Sequence, residues 1–225
     1  MNRQEILKSA RKLDTPALSD ALDSLGVACC LLGVKHQSGQ GTAAGWAYTV
    51  KYRPLTENDS KQFRSAANYI DEVPEDSIIV IDNDARTDCT SWGDILTKAA
   101  LGRGIAGTVI NGSVRDIGII RSSSYHLASV GVTMVSGKNR VVAKGTGDPL
   151  DIGGIAVFPG DLIVMDECGV LAVPAKYAEE AVDRAMKVEA TEAKIRSNVD
   201  RGARLDESRQ SYNYAEPWRS QEPIL

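Results

Sequence analysis

Two kinds of hydrophobic pattern alternate along the chain. Short, almost uninterrupted apolar runs, such as residues 77–82 and 107–111, are typical of strands that are buried on both faces. Elsewhere apolar residues recur every three or four positions, which predicts amphipathic helices. The longest of these helices is expected over residues 175–201. The mixture predicts an α/β or α+β domain with a mixed sheet.

The same patterns and the turn residues predict the other elements. Thr15 is expected to cap the second helix, with Pro16 in its first turn. The glycine-rich segment 102–107 ends a helix rather than opening one, which argues against a nucleotide site there. Helices are expected over residues 3–13, 15–25, 60–70, 91–103 and 116–127, and strands over residues 45–51, 130–135, 140–144, 155–158, 161–166 and 169–173.

The composition is that of one globular domain with a polar tail. A chain of 225 residues with 43% hydrophobic content is long enough to bury a core. We predict a single domain over residues 1–202 and a tail over residues 203–225 that is disordered or packed on a neighbouring subunit. The net charge of −4 argues against nucleic acid as a partner. Four cysteines without zinc-ligand spacing, and no apolar run of membrane length, favour a cytoplasmic protein with reduced thiols and no membrane partner.

Two segments carry the candidate chemistry. Gly93 and Asp94 are expected at the start of a helix, whose first amides can hold an anion. Twenty residues separate Asp94 from Arg115 and Asp116, which follow a buried strand expected to end in a turn at Gly112. Arg115 can bind a carboxylate through two parallel hydrogen bonds. Asp116 is a hard oxygen ligand suited to Mg²⁺ or Mn²⁺. An anion clamp beside a metal ligand is what an enzyme acting on a 2-oxo acid needs.

Each of these residues also has a purely structural interpretation. Asp116 could cap the helix that follows it, which would occupy the oxygens that a metal requires. Ser91 and Asp94 have a spacing similar to that of a capping box at a helix start. Ile95 and Leu96 would contribute backbone amides only, with their side chains in the core.

The spacing Asp-x20-Arg-Asp occurs together with four other features. These are TPALSDAL at residues 15–22, GGIAVFPGD at 153–161, DECGV at 166–170 and Glu192 ten residues before Gly202. In combination they resemble the class II aldolases that release pyruvate from 4-hydroxy-4-methyl-2-oxoglutarate and 4-carboxy-4-hydroxy-2-oxoadipate. Regulators of ribonuclease E activity share this superfamily. The resemblance covers about residues 15–202 and implies a three-layer β/β/α swivelling-domain fold with a mixed sheet and a long C-terminal helix, assembled as a homotrimer or homohexamer.

The resemblance also implies an activity and a set of roles. The expected enzyme is a divalent-metal-dependent lyase that cleaves a 4-hydroxy-2-oxo acid and decarboxylates oxaloacetate as a side activity. Its small 2-oxo acid substrate would bind between Arg115 and the residues at the helix start, namely Gly93, Asp94, Ile95 and Leu96. Asp116 would hold Mg²⁺ or Mn²⁺, and Asp94 would order a water there. Glu192, or alternatively Glu189, would reach the site of a neighbouring subunit.

Some residues depart from the pattern or leave alternatives. Asn111 stands where an aspartate often precedes the glycine, and Ile119 stands where ribonuclease regulators tend to carry an acidic residue, which favours an enzyme. Two alternatives to an enzyme remain. One is a non-catalytic regulator that binds a ribonuclease, and the other is a binding protein that has kept the 2-oxo acid pocket without turnover. Lys98 lies in mid-helix with nothing to lower its pKa, which argues against a Schiff-base aldolase. Neither Cys89 nor His126 is expected to be catalytic.

Overall fold

The framework of the protein is one large mixed sheet with helices packed on it. A computed structural model describes residues 1–57, 59 and 67–219. The strands are β1 (Lys35–Ser38), β2 (Ala43–Pro54), β3 (Ser77–Trp92), β4 (Gly107–Val114), β5 (Leu127–Val132), β6 (Val141–Thr146), β7 (Leu150–Ile152), β8 (Ile155–Val157), β9 (Leu162–Met165) and β10 (Val170–Val173). The α-helices are α1 (Arg3–Ala10), α2 (Thr15–Asp23), α3 (Asp94–Gly102), α4 (Ile117–Ser122), α5 (Ala178–Asp200) and α6 (Leu205–Ser211), and single 3-10 turns span Asn68–Glu72 and Ala175–Tyr177.

The sheet is parallel at its centre and antiparallel at its edges. Eight strands follow the order β1-β5-β4-β3-β2-β9-β10, with β6 paired to β2. The neighbours β2, β3, β4 and β5 run parallel to one another, whereas β1, β6, β9 and β10 pair antiparallel. Because helices cover one face of the central strands and the β7–β8 hairpin covers the other, these strands read as near-continuous apolar runs, as the sequence predicted.

Alternate side chains of the sheet face two different layers. In β9, Leu162 and Val164 pack with α1, α2 and α5, whereas Ile163 and Met165 pack with the separate β7–β8 hairpin. Residues of α3 and α4 cover the rest of the helical face. The resulting layers of helices, sheet and hairpin confirm the predicted β/β/α architecture with a mixed sheet and a long C-terminal helix.

The start of α2 corrects a predicted cap. Asp14, not Thr15, is the N-cap, and its Oδ1 accepts the backbone N–H of Ala17 at 2.8 Å. Thr15 instead donates both its backbone N–H and its hydroxyl to the carboxylate of Asp166, at 2.7 Å each. The threonine therefore ties α2 to the turn between β9 and β10.

The two central strands are longer than their apolar runs. Strand β3 covers 16 residues because its pairing with β4 continues through three register shifts between residues 82 and 92, the first of which skips residues 83–85. Strand β4 passes through Gly112, so the turn predicted there is wrong. A side chain at Gly112 would lie 3.1 Å from Cβ of Asn83, which explains the glycine by close packing.

Three elements lack a clear sequence signal: β1, β7 and α6. The helix expected over residues 60–70 falls mainly on residues outside the described ranges, and its described end overlaps the 3-10 turn Asn68–Glu72. Trp218 of the tail packs against the helical core, with the guanidinium of Arg184 5.6 Å from its ring centre. The division at residue 202 stays a prediction. Within the described ranges, every helix is too short or too polar to cross a membrane.

Candidate active site

The candidate site lies where the parallel strands β3 and β4 end side by side. Trp92 pairs with Val114 at these ends, and the backbone N–H of Arg115 donates to the carbonyl of Trp92 at 3.2 Å. Helix α3 begins two residues after β3, and α4 begins three residues after β4. The carboxyl ends of parallel strands are where open α/β sheets bind their ligands. The topology therefore brings together Gly93, Asp94, Arg115 and Asp116, as the sequence predicted.

Asp116 occupies the N-cap position of α4 without capping it. Its backbone is left-handed, with φ of 56°, and its side chain makes no cap hydrogen bond. Instead Oδ2 accepts the backbone N–H of Asp94 at 3.3 Å and lies 3.3 Å from Nε of Arg115. The structural alternative for Asp116 is therefore wrong, because its carboxylate faces the start of α3. A left-handed backbone costs a residue with a side chain about 1–2 kcal/mol, so neighbouring contacts must hold this conformation.

Gly93 allows the close approach of these groups. A Cβ at this position would lie 2.7 Å from Oδ2 of Asp116 and 3.2 Å from Nε of Arg115. Gly93 is also the N-cap of α3, while Ser91 still belongs to β3, so the predicted capping box is wrong. The N-cap residue itself offers no side chain to α3. Because the backbone N–H of Asp94 is bound to Asp116, the amides of Ile95 and Leu96 are the ones available to an external anion.

The charged groups of the site keep binding capacity for a ligand. The side chains of Arg115 and Asp116 are 39% and 31% exposed. Their 3.3 Å contact is longer than the 2.7–2.9 Å of a good charge-assisted hydrogen bond. Ile95 is 74% exposed, so its predicted core position is wrong. Leu96 is partly buried against the cluster beneath α3 and α4, as predicted.

The donor set suits a hard divalent cation that keeps much of its own hydration. Asp116 offers one partly exposed carboxylate. Among the described residues, no group of three or more His, Cys, Asp and Glu side chains could hold a metal ion. Mg²⁺ is commonly bound through one or two carboxylates, with waters and substrate oxygens as its other ligands. The residues present therefore fit Mg²⁺ or Mn²⁺ better than they fit zinc, which needs three or four protein ligands.

Glu192 lies in another part of the same chain. It sits on α5, where Arg196 donates to it at 2.9 Å and to Glu189 at 3.2 Å. Burial raises the pKa of Asp20 on α2, and the nearby charge of Glu192 raises it further. In the described ranges, no hydrogen bond or ion pair joins Glu192 to Asp94, Arg115 or Asp116. Within one subunit, the structure therefore does not bring Glu192 to the site.

Three further residues with reactive side chains, Cys89, His126 and Lys98, lie outside the candidate site. Burial raises the pKa of the Cys89 thiol, so the reactive thiolate is disfavoured. Burial lowers the pKa of His126, and Nδ1 of this ring has no hydrogen-bond partner in the part of the chain that the structure describes. Lys98 is exposed on α3. These findings agree with the minor roles expected for all three residues.

Sequence reasoning missed Trp92 and Thr97. Trp92 binds Arg115 through its carbonyl, and its indole N–H donates to the hydroxyl of Thr97 at 2.9 Å. The sequence offered only a weak signal for Trp92, namely an aromatic residue directly before the glycine at the start of a helix. Hydrogen bonds between residues five positions apart cannot be inferred from an apolar pattern.

Comparisons with known proteins identify the family of the chain. A family model described as RraA-like (Aldolase/RraA) matches residues 15–172. Protein DlpA of Legionella pneumophila is 41% identical over 213 residues, which are 95% of this chain and 34% of DlpA, so the chain spans about a third of that relative. A protein of Halalkalibacterium halodurans named "Putative 4-hydroxy-4-methyl-2-oxoglutarate aldolase" is 30% identical over 207 residues, covering 88% of this chain and 93% of that one.

A solved structure shares the fold. The crystal structure of Streptomyces coelicolor RraAS2, described as an unusual member of the RNase ES inhibitor RraA protein family, matches with a TM-score of 0.73 at 26% identity. The match covers 84% of this chain and 94% of RraAS2. Relatives named as aldolases and relatives named as ribonuclease inhibitors thus occur side by side. Together, the matched domain and its solved fold show that this chain belongs to the RraA-like family, as its motifs predicted.

Proposed function

We propose that the protein is a divalent-metal-dependent lyase that cleaves a 4-hydroxy-2-oxo acid and releases pyruvate, with decarboxylation of oxaloacetate as a side activity. One observation carries the proposal. Arg115, Asp116 and the uncapped start of α3 converge at the strand ends, and both charged side chains keep part of their binding capacity.

In this proposal the substrate carboxylate binds between Arg115 and the first amides of α3. The guanidinium is planar and offers parallel N–H donors, which match the two carboxylate oxygens. The amides of Ile95 and Leu96 follow Asp94 in the first turn and have no helical partner. The exposed side chain of Ile95 borders the same position.

The bond that breaks joins C3 and C4 of the substrate. In the aldol reaction, the C4 hydroxyl loses its proton, a carbonyl forms at C4, and the bonding electrons pass to C3 to give the pyruvate enolate. In oxaloacetate the same bond breaks with loss of CO₂ and leaves the same enolate. Protonation at C3 then gives pyruvate. Because negative charge develops on the 2-oxo oxygen, preorganised positive charge such as that of Arg115 lowers the barrier.

Mg²⁺ or Mn²⁺ held by Asp116 would supply Lewis-acid stabilisation of that developing charge. Asp94, or Glu192 from a neighbouring subunit, would move the proton at the C4 hydroxyl and return one to C3 through an ordered water. The contact between the backbone N–H of Asp94 and Asp116 supports a role for Asp94 beside the metal ligand. Glu192 could reach the site only from a second subunit.

A shared site in a homotrimer or homohexamer is part of the proposal. Exposed apolar side chains close to the site residues in sequence support an interface there: Ile95 is 74% exposed and Ile119 is 60% exposed. Large exposed apolar patches commonly mark interaction surfaces. Mixing Arg115→Ala subunits with Glu192→Ala subunits tests sharing, because mixed interfaces would combine two intact halves. We expect partial recovery of activity, and none after verified subunit exchange would show that each chain builds its own site.

The test of the activity follows pyruvate release from oxaloacetate and from 4-hydroxy-4-methyl-2-oxoglutarate with Mg²⁺. We expect turnover that excess chelator abolishes and added Mg²⁺ or Mn²⁺ restores. The Arg115→Ala protein at the same metal concentration controls for spontaneous decarboxylation of oxaloacetate. Full activity in excess chelator would overturn the metal mechanism, and no turnover of either substrate would overturn the lyase.

The second candidate is a non-catalytic regulator that binds a ribonuclease. The match to RraAS2 favours it, since that protein is described within an RNase inhibitor family. A regulator of this kind would be indifferent to chelation and to Arg115→Ala. Inhibition of a ribonuclease by the Arg115→Ala protein, without pyruvate release by the wild type, would establish it.

A further inference from the structure

A buried hydrogen-bond relay runs behind the candidate site. The indole Nε1 of Trp92 donates to Oγ1 of Thr97 at 2.9 Å, and this hydroxyl donates in turn to the carbonyl of Gly93 at 3.1 Å. The carbonyl of Trp92 accepts the backbone N–H of Arg115 at 3.2 Å. Trp92 therefore contacts both halves of the site: the start of α3 and the arginine that follows β4.

The relay fixes one peptide plane. The carbonyl of Gly93 accepts two hydrogen bonds from Thr97, one from its hydroxyl and one from its backbone N–H, both at 3.1 Å. Because a peptide unit is planar and trans, fixing this carbonyl also fixes the direction of the Asp94 N–H on the opposite side. That N–H donates to Oδ2 of Asp116. The hydroxyl of Thr97 therefore reinforces the helical bond to this carbonyl and, through the peptide, the contact between Asp94 and Asp116.

The hydrophobic core anchors the relay. Trp92 and Thr97 are both buried, and the indole stacks on the ring of Tyr125 with 6.3 Å between centroids and 5° between planes. The hydroxyls of Tyr125 and Thr108 lie 2.9 Å apart, within hydrogen-bonding distance. Hydrogen bonds in such low-dielectric surroundings are stronger than in water and costly to leave unmade. The indole therefore cannot shift without disrupting the packing beneath α3 and α4.

Thr49 provides an internal comparison. It is as buried as Thr97, but its hydroxyl has no hydrogen-bond partner within the described ranges. Burial of a threonine alone thus does not produce the connection to a site. What distinguishes Thr97 is that its hydroxyl both accepts and donates along one path.

We propose that Trp92 and Thr97 are positioning residues of the 2-oxo acid site, an inference that rests on the proposed function. They hold the Gly93–Asp94 peptide so that the anion-binding amides and the Asp116 carboxylate face Arg115 in one fixed geometry. Because the amides hold the substrate carboxylate in the ground state and in the transition state alike, loss of the relay raises KM more than it lowers kcat.

The experiment compares Thr97→Val with two controls. Thr97→Val removes the hydroxyl at nearly constant volume, Thr97→Ser keeps it, and Thr49→Val removes a buried hydroxyl that has no partner. With oxaloacetate and Mg²⁺, we expect KM of Thr97→Val to rise by about tenfold and kcat to fall by less than about threefold. This pattern is expected when a variant loses an interaction that binds the ground state and the transition state equally. Thr97→Ser and Thr49→Val should remain near wild type. A lower melting temperature of Thr97→Val with unchanged KM would overturn the proposal.

A second experiment measures oxalate binding by calorimetry in Mg²⁺ buffer. It does not depend on enzymatic turnover. We expect Thr97→Val to bind oxalate about tenfold more weakly than wild type, or about 1.4 kcal/mol. That result would stand even if the wild type released no pyruvate, in which case only the proposed activity fails. Equal affinity, or no oxalate binding by the wild type, would overturn the positioning role. If the valine variant does not fold, Trp92→Phe removes the donor at the other end of the relay and is measured in its place.

Discussion

Two charged clusters lie on the same parallel strands, and their hydrogen bonding differs. The first cluster surrounds Asp82, whose carboxylate is 4% exposed and lies 2.5 Å from Nζ of Lys51. Asp82 also accepts from the side chain of Asn111 at 2.8 Å and from the backbone of Asp84 at 3.0 Å. Although partial burial lowers the pKa of Lys51, its hydrogen bonds to Asp82 and Asp84 raise that pKa overall. The carboxylate of Asp82 therefore makes its hydrogen bonds within the protein.

The second cluster is the pair Arg115 and Asp116. It also combines a basic residue with an aspartate, but the two side chains are 3.3 Å apart and about a third exposed. The carboxylate of Asp82 has used its hydrogen-bonding capacity within the fold, whereas Arg115 and Asp116 share only a 3.3 Å contact and retain capacity for a ligand. The comparison teaches that the degree of internal satisfaction, not the residue types, separates a structural ion pair from a candidate site.

The same substitution in both clusters tests this difference most strongly. Asp116→Asn keeps the size of the side chain and tolerates the left-handed backbone, but it removes the charge that would hold a metal. We expect turnover of oxaloacetate to fall by about a hundredfold or more, equivalent to about 2.7 kcal/mol, with little change in the free energy of unfolding. Steady-state kinetics and urea unfolding measure both quantities. Near-normal turnover would remove Asp116 from the proposed mechanism.

Asp82→Asn should have the opposite outcome. Lys51 would lose one of its two carboxylate partners in a partly buried position, so we expect the free energy of unfolding to fall by about 2 kcal/mol, less than for a fully buried pair. Kinetic constants of the folded variant should stay near wild type. Unchanged stability combined with lost activity would show that the Asp82 cluster is functional and would reverse the comparison.

Arg115→Lys tests what the open cluster recognises. The substitution keeps the charge but loses the planar fork that matches a carboxylate. We expect kcat/KM for oxaloacetate to fall by at least about tenfold, or about 1.4 kcal/mol. Urea unfolding should show unchanged stability, since Arg115 is partly exposed. A variant with wild-type kinetics would indicate that Arg115 does not bind the substrate carboxylate.

His126 is a buried titratable residue that belongs to neither charged cluster. Nδ1 of this ring is buried without a partner among the described residues, yet the ring lies under the turn at Gly39, away from the strand ends. Burial, and then the charge of His36, lower its pKa, while Glu167 works against them. The folded state therefore takes up a proton less readily than the unfolded chain.

The sign of the pH effect follows from that lowered pKa. Stability from a neutral His126 is fully present above the unfolded value of about 6.5, and it falls as pH drops toward the folded pKa, by at most about 1.4 kcal/mol per pH unit. Urea unfolding between pH 5 and pH 8 would measure this slope, which we expect to flatten in His126→Gln. An equal slope in the variant would assign the effect to other groups.

The sequence predicted the layers better than the local geometry. Apolar runs located the cores of β3 and β4, and the family resemblance implied that Asp94 and Arg115 would belong to one site. The sequence did not predict the irregularity at residues 83–85 or the continuation of β4 through Gly112, because polar residues in a strand pair leave no periodic signal. The long helix α5 was predicted well since it carries an apolar stripe over 23 residues.

Capping errors had one common cause. Thr15, Ser91 and Asp116 each have a side chain that favours a helix start, yet none of them caps a helix here. Thr15 binds Asp166, and Asp116 faces the start of α3, so a partner distant in sequence or a neighbouring helix decided each case. Short motifs report the preference of a residue, and tertiary contacts override it.

The most direct test asks which of the two clusters takes up a metal and an anion. Crystals grown with Mn²⁺ and oxalate would locate the metal by anomalous scattering. We expect Mn²⁺ about 2.1 Å from a carboxylate oxygen of Asp116, a distance typical of hard divalent cations of this size. Oxalate should lie between the metal and Arg115, with Lys51 still bound to Asp82. Mn²⁺ seated at Asp82 and Asp84, or no metal at Asp116 under saturating Mn²⁺ and oxalate, would contradict the account.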